Sequence, residues 1–229
     1  LNRPLKNFYR ALPGLATQEV STRIKDLVRQ VADEVRKVRF ETPEGFEHIE
    51  RFIPLGIEGH KSFPRFEDHK RALVLSPFLS PQGIERIRQR GQKLVLISRA
   101  DALDGLSDSS FNKMQPTAEC FFLDEAAERP EETDPDEAED GPSRSPQEDF
   151  SGLHAKLFVT ETGWWATVHT GSANCTSAAL NGRNVEFVVA LKGYKSLVGI
   201  DSLMGQKEAP SPFRNLLRPY RRPEEPTPP

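Results

Sequence analysis

Two short runs of this 229-residue chain hold residue types suited to phosphoryl chemistry. In LHAKLFV, His154 and Lys156 are separated by one residue. On a strand that spacing points both side chains to one face and puts Leu153, Ala155 and Leu157 on the other. In TGSANCTSAALNGRNVEF, Gly171, Ser172 and Asn174 precede a short helix-forming stretch near Thr176. Gly and Ser admit a ligand close to the backbone, Asn174 offers a side-chain donor, and N–H groups opening a helix favour an anion such as phosphate. The two runs together supply a nucleophile or acid–base group, a fixed cation and neutral donors, which is equipment for phosphoryl transfer without a metal. Taken alone, each has a plainer reading. His154 and Lys156 could be a satisfied core histidine and an edge-strand lysine, and Gly-Ser-Ala-Asn an ordinary turn. Their combination is the specific signal.

The elements around these runs must position them. Apolar residues at Val20, Ile24, Leu27, Val28, Val31, Val35 and Val38 keep helical spacing and predict an amphipathic helix over 17–38 with Thr17 as N-cap. VRFET and HIERFIPLGI flank a Pro-Glu-Gly turn and predict a hairpin over 38–57. RALVLSPF reads as a buried strand, Ser80-Pro81 as the start of a helix closed by Gly91, and KLVLISR as a second strand. Strand, helix, strand in about thirty residues is the pattern of a right-handed parallel crossover. AECFFLD, LHAKLFVTE, WWATVHT and VEFVVAL are further strands, with a turn at Thr162-Gly163. The fold class expected is α/β, a mixed sheet flanked by helices and built as a single repeat, with an N-terminal helix and hairpin. The organisation expected is residues 1–70 packing on or extending the main domain, a main domain over 71–192, and a Pro-rich C-terminal tail over 193–229.

Residues 124–149 hold twelve Asp or Glu against Arg129 and Arg144, a net of −10, so the rest of the chain is about +7 beneath an overall −3. This acidic, Pro-containing stretch predicts a disordered insertion, and the net-positive remainder is compatible with a polyanionic partner. Cys120 and Cys175 form no metal spacing and no disulfide framework, which fits a reducing, cytoplasmic setting. No apolar run approaches the ~20 residues of a membrane span, and the N-terminus lacks a signal-peptide core.

With these residues in place, the chain resembles the phospholipase D superfamily, whose signature is His-x-Lys, usually an Asp a few residues on, then Gly-Ser-x-Asn. His154, Lys156, Gly171, Ser172 and Asn174 match it, Asn184 and Glu186 look like the downstream Asn-x-Glu, and the SPFLS strand end resembles the start of the repeat. The resemblance runs over 71–191 and looks closest to bacterial phospholipase-D-like nucleases and restriction-associated proteins. It implies that the histidine attacks phosphorus to form a phosphohistidine, that the lysine and asparagine hold the phosphoryl oxygens, and that a histidine of a second motif protonates the leaving group, with no metal or cofactor. Two departures stand out. Glu161 occupies the place of the usual Asp, which makes Glu186 the better supporting carboxylate. Only one motif is present, so the second comes from another copy of the chain in a symmetric homodimer, or from sequence outside these 229 residues.

Other residues carry weaker signals. Arg99 ends a strand on the side where α/β sheets place ligands and is a candidate phosphate contact, with Gly171 and Ser172 as further substrate-binding positions. His169 reads as structural, and the Trp164-Trp165 pair is expected to send one ring to the core. The function expected is a metal-independent phosphodiesterase acting on nucleic acid. The alternatives are a phospholipase or phosphatidyl transferase acting on lipid, and a non-catalytic binding module.

Overall fold

A computed structural model describes residues 1–88, 92–123, 153–206 and 209–222. The acidic stretch 124–149, Gly91 and the last seven residues lie outside the described residues. Eight strands form one mixed sheet in the order β1-β7-β6-β5-β2-β3-β4-β10. They are β1 His48–Leu55, β2 Arg71–Leu75, β3 Lys93–Ser98, β4 Ala118–Leu123, β5 Leu157–Thr162, β6 Trp165–Gly171, β7 Glu186–Tyr194 and β10 Leu217–Pro219. β2, β3 and β4 run parallel, and the other pairings are antiparallel. The expected α/β class and the β2-helix-β3 crossover are therefore present.

Continuous apolar strands demand cover on both faces, and both have it. One face buries Val74, Leu96 and Phe158 under α3 (Pro81–Ile87), α4 (Ala100–Asp104), α5 (Asp108–Met114), α6 (Ser177–Leu180) and the rings of Phe63 and Phe66. The other buries Leu73, Ile97, Val159 and Val168 under α8 (Ile200–Met204), which follows the short α7 (Lys195–Val198). A two-stranded ribbon of β8 (Gly205–Gln206) and β9 (Ala209–Pro210), then α9 (Pro212–Asn215), lead to β10.

Several expectations are corrected. Ser21, not Thr17, caps the long helix, its hydroxyl accepting from the Ile24 N–H, so α2 spans Thr22–Val35. A second helix, α1 (Arg3–Ala11), precedes it. The hairpin over 38–57 does not form, because β1 pairs instead with β7 from Leu55↔Glu186 to His48↔Lys192. β7 is the longer apolar strand and would otherwise be a bare edge, so it captures β1, while Val38 and Phe40 stay exposed. Residues 193–222, expected as tail, carry α7 to α9 and add β10 beside β4.

His169 on β6 is buried against the stacked rings of Phe63 and Phe66, with ring centroids 5.4 and 5.2 Å away. Burial first, and then the Arg51 charge, lower its pKa to about 4. The unfolded chain, titrating near 6.5, therefore binds the proton more readily than the native one. Native stability is full above pH 6.5 and is lost as pH falls toward 4, by up to roughly 3 kcal/mol. Urea midpoints across that window should fall in the wild type and fall less in His169→Phe; parallel curves would refute the assignment.

Candidate active site

Strand register brings all seven candidate positions to one edge of the sheet. β2 and β3 end there, and Leu75 pairs with Leu157, so β5 begins there. Leu157 faces Thr170, Gly171 faces Val188, and Leu55 faces Glu186, so the end of β6 and the starts of β5 and β7 share that edge. Arg99 follows β3 two strands from β5, a lateral separation of about 10 Å.

His154 and Lys156 do not lie on a strand, contrary to expectation. They form an extended lead into β5, because the β2–β5 ladder stops at Leu75↔Leu157 and the chain after Leu75 runs on through Ser76 and Pro77 outside β2. His154 is exposed and Lys156 half-buried. The Lys156 Nζ donates to the His154 carbonyl at 2.7 Å, and the Lys156 carbonyl accepts from Thr170 Oγ1 at 3.3 Å, which ties the lead to the end of β6.

Beyond Gly171 the backbone is fixed from both sides. A side chain at Gly171 would run into the Phe187 carbonyl. Ser172 N–H donates to that carbonyl at 3.0 Å, and Ser172 Oγ accepts from Phe187 N–H at 3.0 Å while donating to Glu186 Oε2. Glu186 is buried and also accepts from Asn184 Nδ2 at 3.4 Å. The expected histidine-orienting carboxylate is thus engaged by Ser172 and Asn184. Asn184 and Glu186 are the two ends of the Asn-x-Glu run: Glu186 holds the Gly-Ser turn through Ser172, and Asn184 holds Glu186.

The loop bearing Asn174 is clasped by the segment after β2. Cys175 N–H donates to Ser76 Oγ at 2.9 Å, Ser80 N–H to the Cys175 carbonyl at 2.9 Å, and Ser177 N–H to Ser80 Oγ at 2.8 Å. Ser76 Oγ donates to the Phe78 carbonyl, and Ser98 Oγ to the Ser76 carbonyl. Gly83 on α3 lies so close that a side chain would meet the Cys175 carbonyl. Asn174 is left with a buried Oδ1 lacking a partner, a costly acceptor held at the edge where the cation of Lys156 arrives. The serines Ser76, Ser80 and Ser98 were not singled out as site supports from sequence. The SPFLS run was the sequence signal for Ser76 and Ser80, and Ser98 lies outside it at the end of KLVLIS.

Arg99 stands at the N-cap position of α4 without a side-chain capping bond and is held by Asp101 at 2.8 and 3.0 Å, and its guanidinium stands 5.9 Å from the centroid of the exposed Phe78 ring. Glu161 lies elsewhere. It sits opposite Arg71, at the far end of β5, about 13 Å along the strand from Leu157. There it is buried, accepting from Arg71 at 3.3 Å and from the Ile200 N–H at 2.8 Å. The tryptophans also lie at that far end, and neither is core. Trp164 is 79% exposed, and Trp165, 36% exposed, stacks on Tyr194 at 4.6 Å. At this hairpin turn the rings are covered by cations, with Lys195 Nζ over Trp164 and Lys192 Nζ over Trp165, each 5.8 Å from the centroid.

Both cysteines are free and buried, and burial raises their thiol pKa values, that of Cys120 to about 11. Among the described residues no helix is long and apolar enough to cross a membrane. No protein-family model and no curated protein matches the chain. Among solved structures the chain is similar to Nuc, a phospholipase D family member from Salmonella typhimurium, at 17% identity over 68% of this chain and 84% of that one, with a TM-score of 0.41. It is also similar to a mutant of yeast tyrosyl-DNA phosphodiesterase, at 11% identity over 54% of this chain and 25% of that one (TM-score 0.35), and to NucT from Helicobacter pylori, at 14% identity over 58% and 74% (TM-score 0.36).

Proposed function

We propose that the chain is a metal-independent phosphodiesterase of the phospholipase D type that cleaves nucleic acid through a phosphohistidine. The observation that carries this is the gathering of His154, Lys156, Asn174, Ser172 and Arg99 at one sheet edge by strands that are far apart in sequence. A His-x-Lys pair and a Gly-Ser-Ala-Asn turn brought together in this way fit the resemblance seen in the sequence, and neither plain reading of the runs requires it.

In this reading a neutral ring nitrogen of His154 attacks phosphorus, and the bond to the leaving oxygen breaks as a proton is delivered to it. Lys156 and Asn174 hold the equatorial oxygens, Glu186 fixes Ser172 so that the turn stays open to the phosphate, and Arg99 contacts a neighbouring phosphate. Water then attacks the phosphohistidine, returning the histidine and releasing the phosphate product. The proton donor for the leaving group belongs to a second motif, which a second copy of the chain supplies.

The test offers labelled single-stranded DNA, RNA and phosphatidylcholine vesicles to the full chain in excess EDTA. Cleavage of a nucleic acid, insensitive to the chelator, is the expected result. Turnover of the vesicles alone would transfer the reading to lipid, loss of all activity with EDTA would overturn the mechanism, and binding without turnover would leave a binding module.

A further inference from the structure

Among the described residues fifteen large apolar side chains are exposed, and eight of them lie within the first forty residues. That concentration marks a surface built to be covered. Its centre is α2, where Ile24 (51%), Leu27 (51%) and Val31 (42%) form one exposed stripe, while Ala32 is buried and Val28 and Val35 are half-buried. The spacing i, i+3, i+7 is that of a helix seam. α1 occupies the other flank: its Phe8 ring packs 4.9 Å from Phe187, next to Glu186 on β7.

The charges beside the stripe identify what covers it. At 100° per residue Arg23 and Glu34 fall on the same flank of the stripe, at opposite ends of the helix, about 16 Å apart along its axis. Both are exposed. A parallel copy would carry this flank to the opposite side of the partner and leave Arg23 and Glu34 facing no charge, since the other flank of the stripe holds Val28, Ala32 and Val35. An antiparallel copy, related by a twofold axis near Leu27 and Val28, keeps this flank on one side, sets each Arg23 against the other copy's Glu34 and closes two ion pairs along that side of the apolar seam. Asp26 is already paired with Arg29 at 2.8 Å, and Asp33 with Lys6 and Arg10, whereas Glu34 accepts from the neutral Gln30 amide at 3.1 Å, which leaves its charge uncompensated, so the charges beside the seam are those two.

We infer that α2 is a self-association surface that joins two copies of this chain antiparallel, with Ile24, Leu27 and Val31 as the seam and Arg23–Glu34 pairs as its polarity. This deepens the functional reading and rests on it only for the use of two copies, since the surface is tested without any chemistry. Sedimentation velocity of the full chain over micromolar concentrations should show a dimer. Leu27→Asp, a change at an exposed position, should give a folded monomer. Arg23→Glu and Glu34→Arg should each weaken the dimer by about tenfold or more, because each turns two attractive pairs into two repulsive ones. The double reversal Arg23→Glu/Glu34→Arg should restore it. A wild type that stays monomeric to about 100 μM, far above a specific dimer's dissociation constant, would overturn the inference. So would a dimer indifferent to Leu27→Asp, or a double reversal no stronger than the single ones. His154→Ala should dimerise like the wild type, which keeps a failure of the interface distinct from a failure of the chemistry.

Discussion

His154→Ala is expected to lower phosphodiester cleavage by at least about 10³-fold while changing unfolding stability by less than about 0.5 kcal/mol. The asymmetry follows from where the residue sits. Its side chain is exposed in an extended lead, outside any strand ladder, and the bond that organises the lead uses its backbone carbonyl, which alanine keeps. Substrate affinity should survive, because Lys156, Asn174 and Arg99 are untouched. Single-turnover rates, filter binding and urea midpoints measured on one preparation separate the three quantities. A variant retaining more than a tenth of the wild-type rate would rule out His154 as nucleophile. With wild type, rapid acid-free quenching should trap an acid-labile phosphoenzyme on His154.

Arg71→Met carries the largest expected cost in stability, about 3 kcal/mol. The side chain of Glu161 is 6% exposed, with Arg71 and the Ile200 N–H as its partners. Removing the guanidinium strands a buried carboxylate and also frees Asp201, whose pKa the Arg71 hydrogen bond holds below the usual range. Glu161→Gln removes the charge along with its partner's demand and should cost less, about 1 kcal/mol. Urea denaturation orders the two variants. Activity per folded molecule should stay within about twofold of wild type for both, because the pair lies a strand length from Lys156. Loss of activity in folded Glu161→Gln would return this residue to the chemistry.

The sequence was most legible where burial is two-sided. RALVL and KLVLIS carry unbroken apolar stretches and AECFFL and VEFVVAL are broken only by Glu119 and Glu186, and they became β2, β3, β4 and β7. Ser80-Pro81 set the start of α3 as read. Legibility failed where partners are remote. Nothing local in HIERFIPL says that its neighbour is β7 and not VRFET. His-x-Lys has strand spacing, yet the ladder stops at Leu157 because its partner strand β2 ends at Leu75, two residues before Pro77. Glu161 sits near the expected Asp in sequence, but each residue along a strand moves about 3.3 Å away from the edge. The roles of Ser76 and Ser98 were hidden because serines are common and theirs lie in bonds between Ser76 and Cys175 and from the Ser98 hydroxyl to the Ser76 carbonyl.

The pairing of β1 with β7 also has a consequence for how the chain comes into being. Leu55 must wait for Glu186, about 130 residues later, whereas β5, β6 and β7 follow one another closely and pair as neighbours. During synthesis the meander that carries most of the chemical edge can assemble as a local unit, and the N-terminal helices and β1 join it last. Until they do, β7 is an open strand and the apolar side of α1 is bare. The slowest step of maturation should therefore be the docking of the first fifty-five residues, and that interval is when the nascent protein is most exposed to misassociation.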